Sequence, residues 1–357
     1  MLEEFATEQE QIIDYRDSRL VYMGRMHEEE QGLLWVFPCS LVKISFHGKS
    51  LRAVITNHRN YWNNYMGVIV DGVQSKVELS ADEEPHVYTL FKGEAGEHEV
   101  LLFKRQDACH HIFFHGILLD KEGLLYVAKP MPDRRMEVYG DSVSAGEVSE
   151  AVEYVGKADP EHNGEFSNSF YSYSWLTARK LHCALHDIAQ GGIALFDRTG
   201  WFSGPDYVGM ESVYDKIAYN PYLKEKSTWE FARYTPQLVV LAFGQNDSNP
   251  EDYMKEDYEG EKAKRWRKGY RNFLLTLKEK YPKATFILTT TILRHDPSWD
   301  RAIDEVAKEF EGQKVYHFLY SNNGDGTDGH IRIPEAEQMS DELAAFIEGL
   351  GEEVWRE

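Results

Sequence analysis

The sequence has little cysteine and no long apolar run. Only three cysteines, Cys39, Cys109 and Cys183, occur among 357 residues. Their odd number and wide spacing argue against a disulfide framework and against a paired-cysteine metal or redox motif, so the reducing cytoplasm is the expected compartment. No stretch approaches the ~18 apolar residues that a membrane span needs. Residues 1–14 lack the basic and apolar segments of a secretory signal, so we expect none.

Basic residues are also scarce relative to acidic ones. The chain has 39 Lys and Arg against 60 Asp and Glu, which gives a net charge of −21. This balance disfavours nucleic acids and anionic membranes as partners. The 42% hydrophobic content is typical of a globular protein, and at ~150 residues per domain the length favours two domains.

The N-terminal third consists of short apolar or alternating runs at roughly ten-residue spacing. This pattern predicts an all-β jelly roll or sandwich over residues 1–128. Breaks between strands are expected at three turn signals, which are His47-Gly48-Lys49, Asp71-Gly72 and Lys92-Gly93-Glu94.

After residues 129–132 the pattern alternates between apolar runs and helical periodicity. Such alternation predicts a parallel sheet with helices on both faces, occupying residues 129–357. The expected strands are 136–139, 184–189, 237–243, 285–291 and 315–319, and the expected helices are 172–181, 261–280, 300–310 and 334–350.

The loops that follow these strands are the first places to search for chemistry, because an open parallel sheet binds its ligands at the carboxyl ends of its strands. The first such loop, GDSVSAG, places Ser142 among small residues. It is not a nucleophile elbow, because its fifth position is Ser144 and not glycine. The alternative is a flexible turn in which Asp141 caps a helix.

Three further loops carry polar or conformationally special residues. Gly192 follows the strand at 184–189, Asn246 follows the strand at 237–243, and His330 precedes the last helix. Taken singly, these are equally consistent with a simple turn, an Asx-turn and a solvated acidic turn. A calcium loop that starts at Asn323 is excluded, because its sixth position would be Asp328 where glycine is required.

In this order the four loops resemble the four blocks of the SGNH hydrolases, also called GDSL esterases, with Ser142, Gly192, Asn246 and His330 as the family residues. The β-rich region before them narrows the resemblance to carbohydrate esterase family 2, whose members remove acetyl groups from plant polysaccharides. Residues 22–25 (YMGR) and 66–72 (MGVIVDG) are similar to that family's N-terminal domain. The implied fold is a jelly roll followed by a three-layer SGNH-type α/β domain.

The resemblance implies a mechanism as well. Ser142 would be the nucleophile and His330 its base. The backbone N–H groups of Ser142 and Gly192 and the Asn246 amide would bind the oxyanion. The implied substrate is an acetylated oligosaccharide or polysaccharide such as xylan, mannan or glucomannan, and no metal or organic cofactor is expected.

The acid of the triad is less clearly indicated. SGNH proteins usually carry it three residues before the histidine, where this chain has Thr327. Asp328, two residues before the histidine, is therefore the favoured acid. The alternatives are Asp325 and a main-chain carbonyl, which would leave a Ser-His dyad.

Two tryptophans, Trp201 and Trp299, follow strands and are candidates for a sugar platform, although large aromatics are more often core residues. The histidines around Cys109 lie in a strand pattern, which favours packing over metal binding. Two rival functions remain: a lipid esterase or thioesterase on the same scaffold, and an inert carbohydrate-binding protein. The sequence leaves the oligomeric state open.

Overall fold

The computed structural model describes residues 1–219 and 228–356. Within them, the N-terminal region forms a ten-stranded antiparallel sheet in the order β3-β4-β9-β5-β8-β6-β7, with β1 paired to β9 and with β2 and β10 paired to β5. A short helix, α1 (Leu2–Phe5), precedes the strands. The strands are β1 Glu10–Asp14, β2 Val21–Met23, β3 Met26–Glu29, β4 Gly32–Trp35, β5 Leu41–His58, β6 Tyr65–Val70, β7 Val73–Glu78, β8 Pro85–Lys104, β9 His111–Asp120 and β10 Leu124–Tyr126.

Two of the three expected strand breaks are wrong. Strand β5 runs through Gly48 and β8 runs through Gly93, and the two strands pair along most of their length. The pairing shifts register between Gly48 and Ser50, as at a β-bulge, so the glycine bends the ladder and does not end it. The third break, Asp71-Gly72, is a true hairpin turn between β6 and β7, with both residues at positive φ.

The C-terminal region forms a five-stranded parallel sheet in the order β12-β11-β13-β14-β15. The predicted strands and helices all occur, with ends that differ by a few residues. The elements are β11 Arg134–Gly140, α2 Ser142–Ala145, α3 Tyr173–Lys180, β12 Cys183–Ala189, α4 Met210–Val213, β13 Leu238–Ala242, α5 Tyr253–Glu256, α6 Glu261–Lys280, β14 Thr285–Thr289, α7 Pro297–Lys308, β15 Val315–His317 and α8 Ile333–Gly349.

The residues of β13 show how this sheet is covered on both faces. Val239 belongs to a core cluster that includes Trp266 of α6 and Ile303 of α7. Val240, the next residue, belongs to a second cluster that includes residues of α3 and α8. Since successive side chains of a strand point to opposite faces, the sheet lies between two helical layers. No helix among the described residues is long and apolar enough to cross a membrane.

The two sheets meet through buried polar contacts. Arg25, between β2 and β3, is fully buried and donates to the carbonyl of Tyr214 at 2.7 Å and to the hydroxyl of Tyr139 at 3.2 Å. Its guanidinium also lies 3.7 Å from the buried carboxylate of Glu137 in β11. Arg25 of the N-terminal region therefore supplies the positive charge that compensates Glu137 in the parallel sheet.

Candidate active site

Ser142 lies at the carboxyl end of β11, as the first residue of α2. The preceding Asp141 caps this short helix by accepting from the backbone N–H of Val143 at 2.9 Å. Gly140 is required before it, because a Cβ there would lie 2.1 Å from the hydroxyl of Ser144. The Ser142 side chain is thereby held at the strand end, where it is nearly buried.

His330 reaches Ser142 from the loop before α8. Its Nε2 lies 2.7 Å from the serine Oγ. Its Nδ1 lies 2.5 Å from Oδ2 of Asp159, and its backbone N–H donates to Oδ1 of the same residue at 2.8 Å. In the neutral imidazole, Nδ1 carries the proton and Nε2 accepts from the serine, which is the tautomer that a general base needs.

Arg332 fixes the carboxylate of Asp159. This fully buried arginine donates to Asp159 Oδ1 at 2.8 Å and also donates to the carbonyl of His330. Burial by itself would raise the pKa of Asp159, but hydrogen bonds from His162, His330 and Arg332 lower it well below its usual range. Asp159 is consequently an anion at neutral pH.

A second ion pair adjoins this one. His162 Nδ1 lies 2.8 Å from Oε1 of Glu147, and its Nε2 lies 3.1 Å from Oδ2 of Asp159. These two hydrogen bonds raise the pKa of His162 to about 9. Burial lowers the pKa of His330, but the Asp159 hydrogen bond and the charge of Glu147 outweigh it, so the pKa of His330 is raised.

Asn246, a candidate oxyanion donor, contacts Asp141, the residue that precedes Ser142. The Asn246 amide donates to Oδ2 of Asp141 at 2.8 Å and to the carbonyl of Ile193 at 3.1 Å, which ties together the loops after β11, β12 and β13. Both contacts use Nδ2 of Asn246, which is also the nitrogen that would donate to an oxyanion. In residues 1–219 and 228–356, no intramolecular hydrogen bond engages the backbone N–H of Ser142 or of Gly192.

The loop that carries Gly192 is held by the N-terminal sheet. The buried carboxylate of Asp107, between β8 and β9, accepts from the backbone N–H of Gly191 at 2.5 Å and from the side chain of Gln190 at 2.9 Å. Gly192 itself has a φ of +71°, which favours glycine, and a Cβ there would lie 2.9 Å from the Cβ of Trp201. A residue of the N-terminal region thus helps to fix the loop that follows β12.

Among residues 1–219 and 228–356, two groups of side chains bring metal-ligand atoms within 4.8 Å of one another: Asp159, His162 and His330 in the site, and the buried Asp107, Cys109 and His110. In the first group, hydrogen bonds already join the atoms in question, so a metal would have to displace them. The arrangement is that of a hydrogen-bonded charge network suited to nucleophilic catalysis by serine.

Comparisons with known proteins agree with this geometry. The family model described as "Carbohydrate esterase 2 N-terminal" matches residues 22–128. An acetylxylan esterase/glucomannan deacetylase of Cellvibrio japonicus is 25% identical over 338 residues, 92% of this chain and 87% of that protein. Residues 22–128 thus match the N-terminal domain of carbohydrate esterase family 2, and nearly the whole chain is similar to an esterase that acts on acetylated polysaccharides.

Two further similar proteins are informative. The cellulase/esterase CelE of Acetivibrio thermocellus is 26% identical over 354 residues, and the match covers 95% of this chain but 40% of that protein's length. A solved family 2 carbohydrate esterase from Cellvibrio japonicus has the same fold, with a TM-score of 0.80, 23% identity and coverage of 97% of this chain and 99% of that one.

The structure corrects the expected acid. The side chain of Asp328 is 56% exposed and pairs with Arg294 at 2.6 Å, and Asp325 is exposed. The His330 ring nitrogen instead contacts Asp159, 171 residues earlier in the sequence. The side chain of Asp328, two residues before His330, starts on the solvent side of the loop, whereas Asp159 approaches His330 from the other side.

Sequence reasoning missed Asp159, Glu147 and His162. All three lie in the irregular segment between α2 and α3, where no periodicity predicts which side chains face the cleft. The sequence offers only an indirect signal that this segment contributes to the site: it is long and polar, and it directly follows the serine loop.

The two tryptophans have different positions in the family 2 fold. Trp299 is fully buried in α7, in the core, and its indole N–H donates to Asp252 at 2.9 Å, so it cannot be a sugar platform. Trp201 is 64% exposed, and its backbone N–H donates to the carbonyl of Gly192 at 2.7 Å. Only Trp201 of the pair is available at the site.

Proposed function

We propose that this protein is a serine esterase that removes O-acetyl groups from plant-type saccharides such as xylan, mannan or glucomannan. The observation that carries the proposal is the 2.7 Å contact between the Ser142 hydroxyl and His330 Nε2, with Asp159 on the opposite ring nitrogen. The named activity of the Cellvibrio japonicus relative supports the choice of acetylated polysaccharides.

The chemistry proceeds in two halves. His330 Nε2 takes the proton from Ser142 Oγ as that oxygen attacks the acetyl carbonyl carbon. The tetrahedral oxyanion is held by the N–H groups of Ser142 and Gly192 and by the Asn246 amide. The bond from the carbonyl carbon to the sugar oxygen then breaks, His330 protonates that oxygen, and an acetyl-serine remains. In the second half, His330 takes a proton from water, which attacks the acetyl-serine. The bond from the carbonyl carbon to Ser142 Oγ then breaks, His330 returns the proton to Oγ, and acetate is released.

The fold class of the N-terminal sheet is part of the proposal. Its antiparallel pairing and its strongly bent long strands β5 and β8 support a jelly-roll-like sandwich packed against the catalytic domain.

The test compares the parent protein with Ser142→Ala. We expect the parent to release acetate from acetylated xylan, mannan and glucomannan oligosaccharides, and we expect the variant to lose at least about 10³-fold in kcat, because the nucleophile is absent. Turnover by Ser142→Ala within about tenfold of the parent would exclude the serine mechanism.

Substrate profiles separate the rival functions. Preferential cleavage of long-chain acyl esters or thioesters would identify a lipid esterase or thioesterase. Saccharide binding without acetate release from any of the substrates would identify an inert carbohydrate-binding protein.

A further inference from the structure

We propose that His162 is a positioning residue that acts as a fixed imidazolium: it bridges the carboxylates of Glu147 and Asp159 and so keeps His330 available as a base at neutral pH. The inference rests on the proposed esterase function, because it concerns the base of that reaction.

The geometry of His162 requires a charged ring. Both of its nitrogens face carboxylate oxygens, at 2.8 Å for Glu147 and 3.1 Å for Asp159. An ionised carboxylate only accepts hydrogen bonds, so each nitrogen must donate, and a histidine with two N–H donors is an imidazolium. The ring of Trp62, 5.3 Å away between centroids, packs beside it.

The two carboxylates that His162 bridges also face His330. Asp159 contacts Nδ1 at 2.5 Å, and Oε2 of Glu147 lies 3.9 Å from Nε2, the nitrogen that must accept the serine proton. The backbone N–H of Glu147 donates to the carbonyl of Ser142 at 3.0 Å, which keeps this second carboxylate next to the nucleophile. His330 therefore lies between two anions.

Apart from His162, the charged groups around His330 do not neutralise the carboxylate of Glu147. Arg332 donates to Asp159 and does not reach Glu147 within the described contacts. The carboxylates of Asp107 and Asp141 add to the negative field, and burial raises the pKa of Asp141 to about 6. His162 is thus the cation that balances Glu147.

The sign of the effect follows from these charges. A neutral residue at position 162 leaves Glu147 and Asp159 acting together on His330, and both favour its protonated form. The pKa of His330 then rises, and the serine is activated only at higher pH. A charge at the 5.6 Å separation of the two rings shifts such a pKa by on the order of one unit.

The experiment measures kcat/KM for p-nitrophenyl acetate, a neutral ester, from pH 5 to 9. For His162→Gln we expect the acidic limb of the profile to move up by about one pH unit, with activity recovering at high pH. For the matched variant Glu147→Gln we expect a shift in the opposite direction, and for the double variant an intermediate position. A purely structural role would lower kcat/KM at every pH and leave the acidic limb of the profile in place, and that result would overturn the proposal.

A histidine NMR titration of the parent protein gives a second readout that needs neither turnover nor a stable variant. We expect the His162 ring to be charged at pH 7, and a neutral ring at that pH would overturn the proposal. If the parent hydrolyses no ester, the proposed function fails, while the titration still decides the charge of His162. If the parent is active and the limb does not move in His162→Gln, only this inference fails.

Discussion

Asp159 is the carboxylate on which the orientation of His330 depends. It accepts from the backbone N–H and from Nδ1 of the same histidine, so that one side chain fixes both the position and the tautomer of the ring. Arg332 holds it from behind. Such a carboxylate acts on the reaction without touching the substrate.

Asp159→Asn should therefore lower kcat for acetyl ester hydrolysis by about 10³–10⁴-fold, because an amide at this position favours the wrong imidazole tautomer. Initial rates with p-nitrophenyl acetate measure the loss. Asp328→Asn is the matched control, since this carboxylate pairs with Arg294 at the surface, and it should cost less than about fivefold. Equal losses in the two variants would contradict the assignment of Asp159.

The residues found from the sequence and those missed differ in how they are encoded. Ser142, Gly192, Asn246 and His330 lie where a predicted element ends or begins, so the order of elements predicts them at one edge of the sheet, and the family resemblance implies their roles. Asp159 has no such marker. Its place in the site depends on how an irregular segment folds back over the serine loop, and that depends on tertiary contacts such as the one with Arg332.

At the scale of elements, the helical periodicity of α7 predicts which of its side chains are buried. Trp299, Ala302, Ile303 and Val306 lie at the spacing of one helix face, and all four are buried in the core. That periodicity alone assigns Trp299 to the core. Trp201 lies in a loop without periodicity, and its exposure could be learned only from the structure.

Trp201→Ala should raise KM for acetylated oligosaccharides by about 3–10-fold through the loss of aromatic contact with the sugar, with kcat little changed. Michaelis curves with an acetylated xylo- or manno-oligosaccharide measure this effect. Hydrolysis of p-nitrophenyl acetate, which has no sugar, should be unaffected, and Trp201→Phe should restore most of the affinity. An unchanged KM in Trp201→Ala would remove this side chain from the substrate site.

The strands of the N-terminal sheet also illustrate what turn signals can predict. Asp71-Gly72 ends a strand because both residues take positive φ at a two-residue turn. Gly48 lies opposite Gly96 in a continuous ladder, where the same residue type produces a bend. The choice between a turn and a bend is made by the partner strand, which a local pattern does not contain.

At the scale of the whole molecule, Arg25 joins the two sheets through a buried charge. Glu137 accepts from the hydroxyls of Tyr139 and Tyr281 at 2.5 and 2.9 Å, and burial raises its pKa while the charge of Arg25 lowers it. Breaking a buried pair of this kind on one side leaves an uncompensated charge.

Arg25→Met should lower the free energy of unfolding by about 3–5 kcal/mol. Urea denaturation followed by tryptophan fluorescence measures the change. The double variant Arg25→Met/Glu137→Gln should recover much of this loss, because neither charge is then buried alone. A single variant as stable as the parent, or a double variant no better than the single one, would show that the pair does not link the sheets energetically.

The contact between Asp107 and the Gly191 N–H has a consequence for how such proteins diversify. One half of the chain supplies the carboxylate, and the other supplies the loop that carries Gly192, the proposed oxyanion donor. A recombination event that replaces only one half separates these partners, even when both parental halves fold well. The segment between β8 and β9 and the loop after β12 are therefore expected to be inherited as one unit.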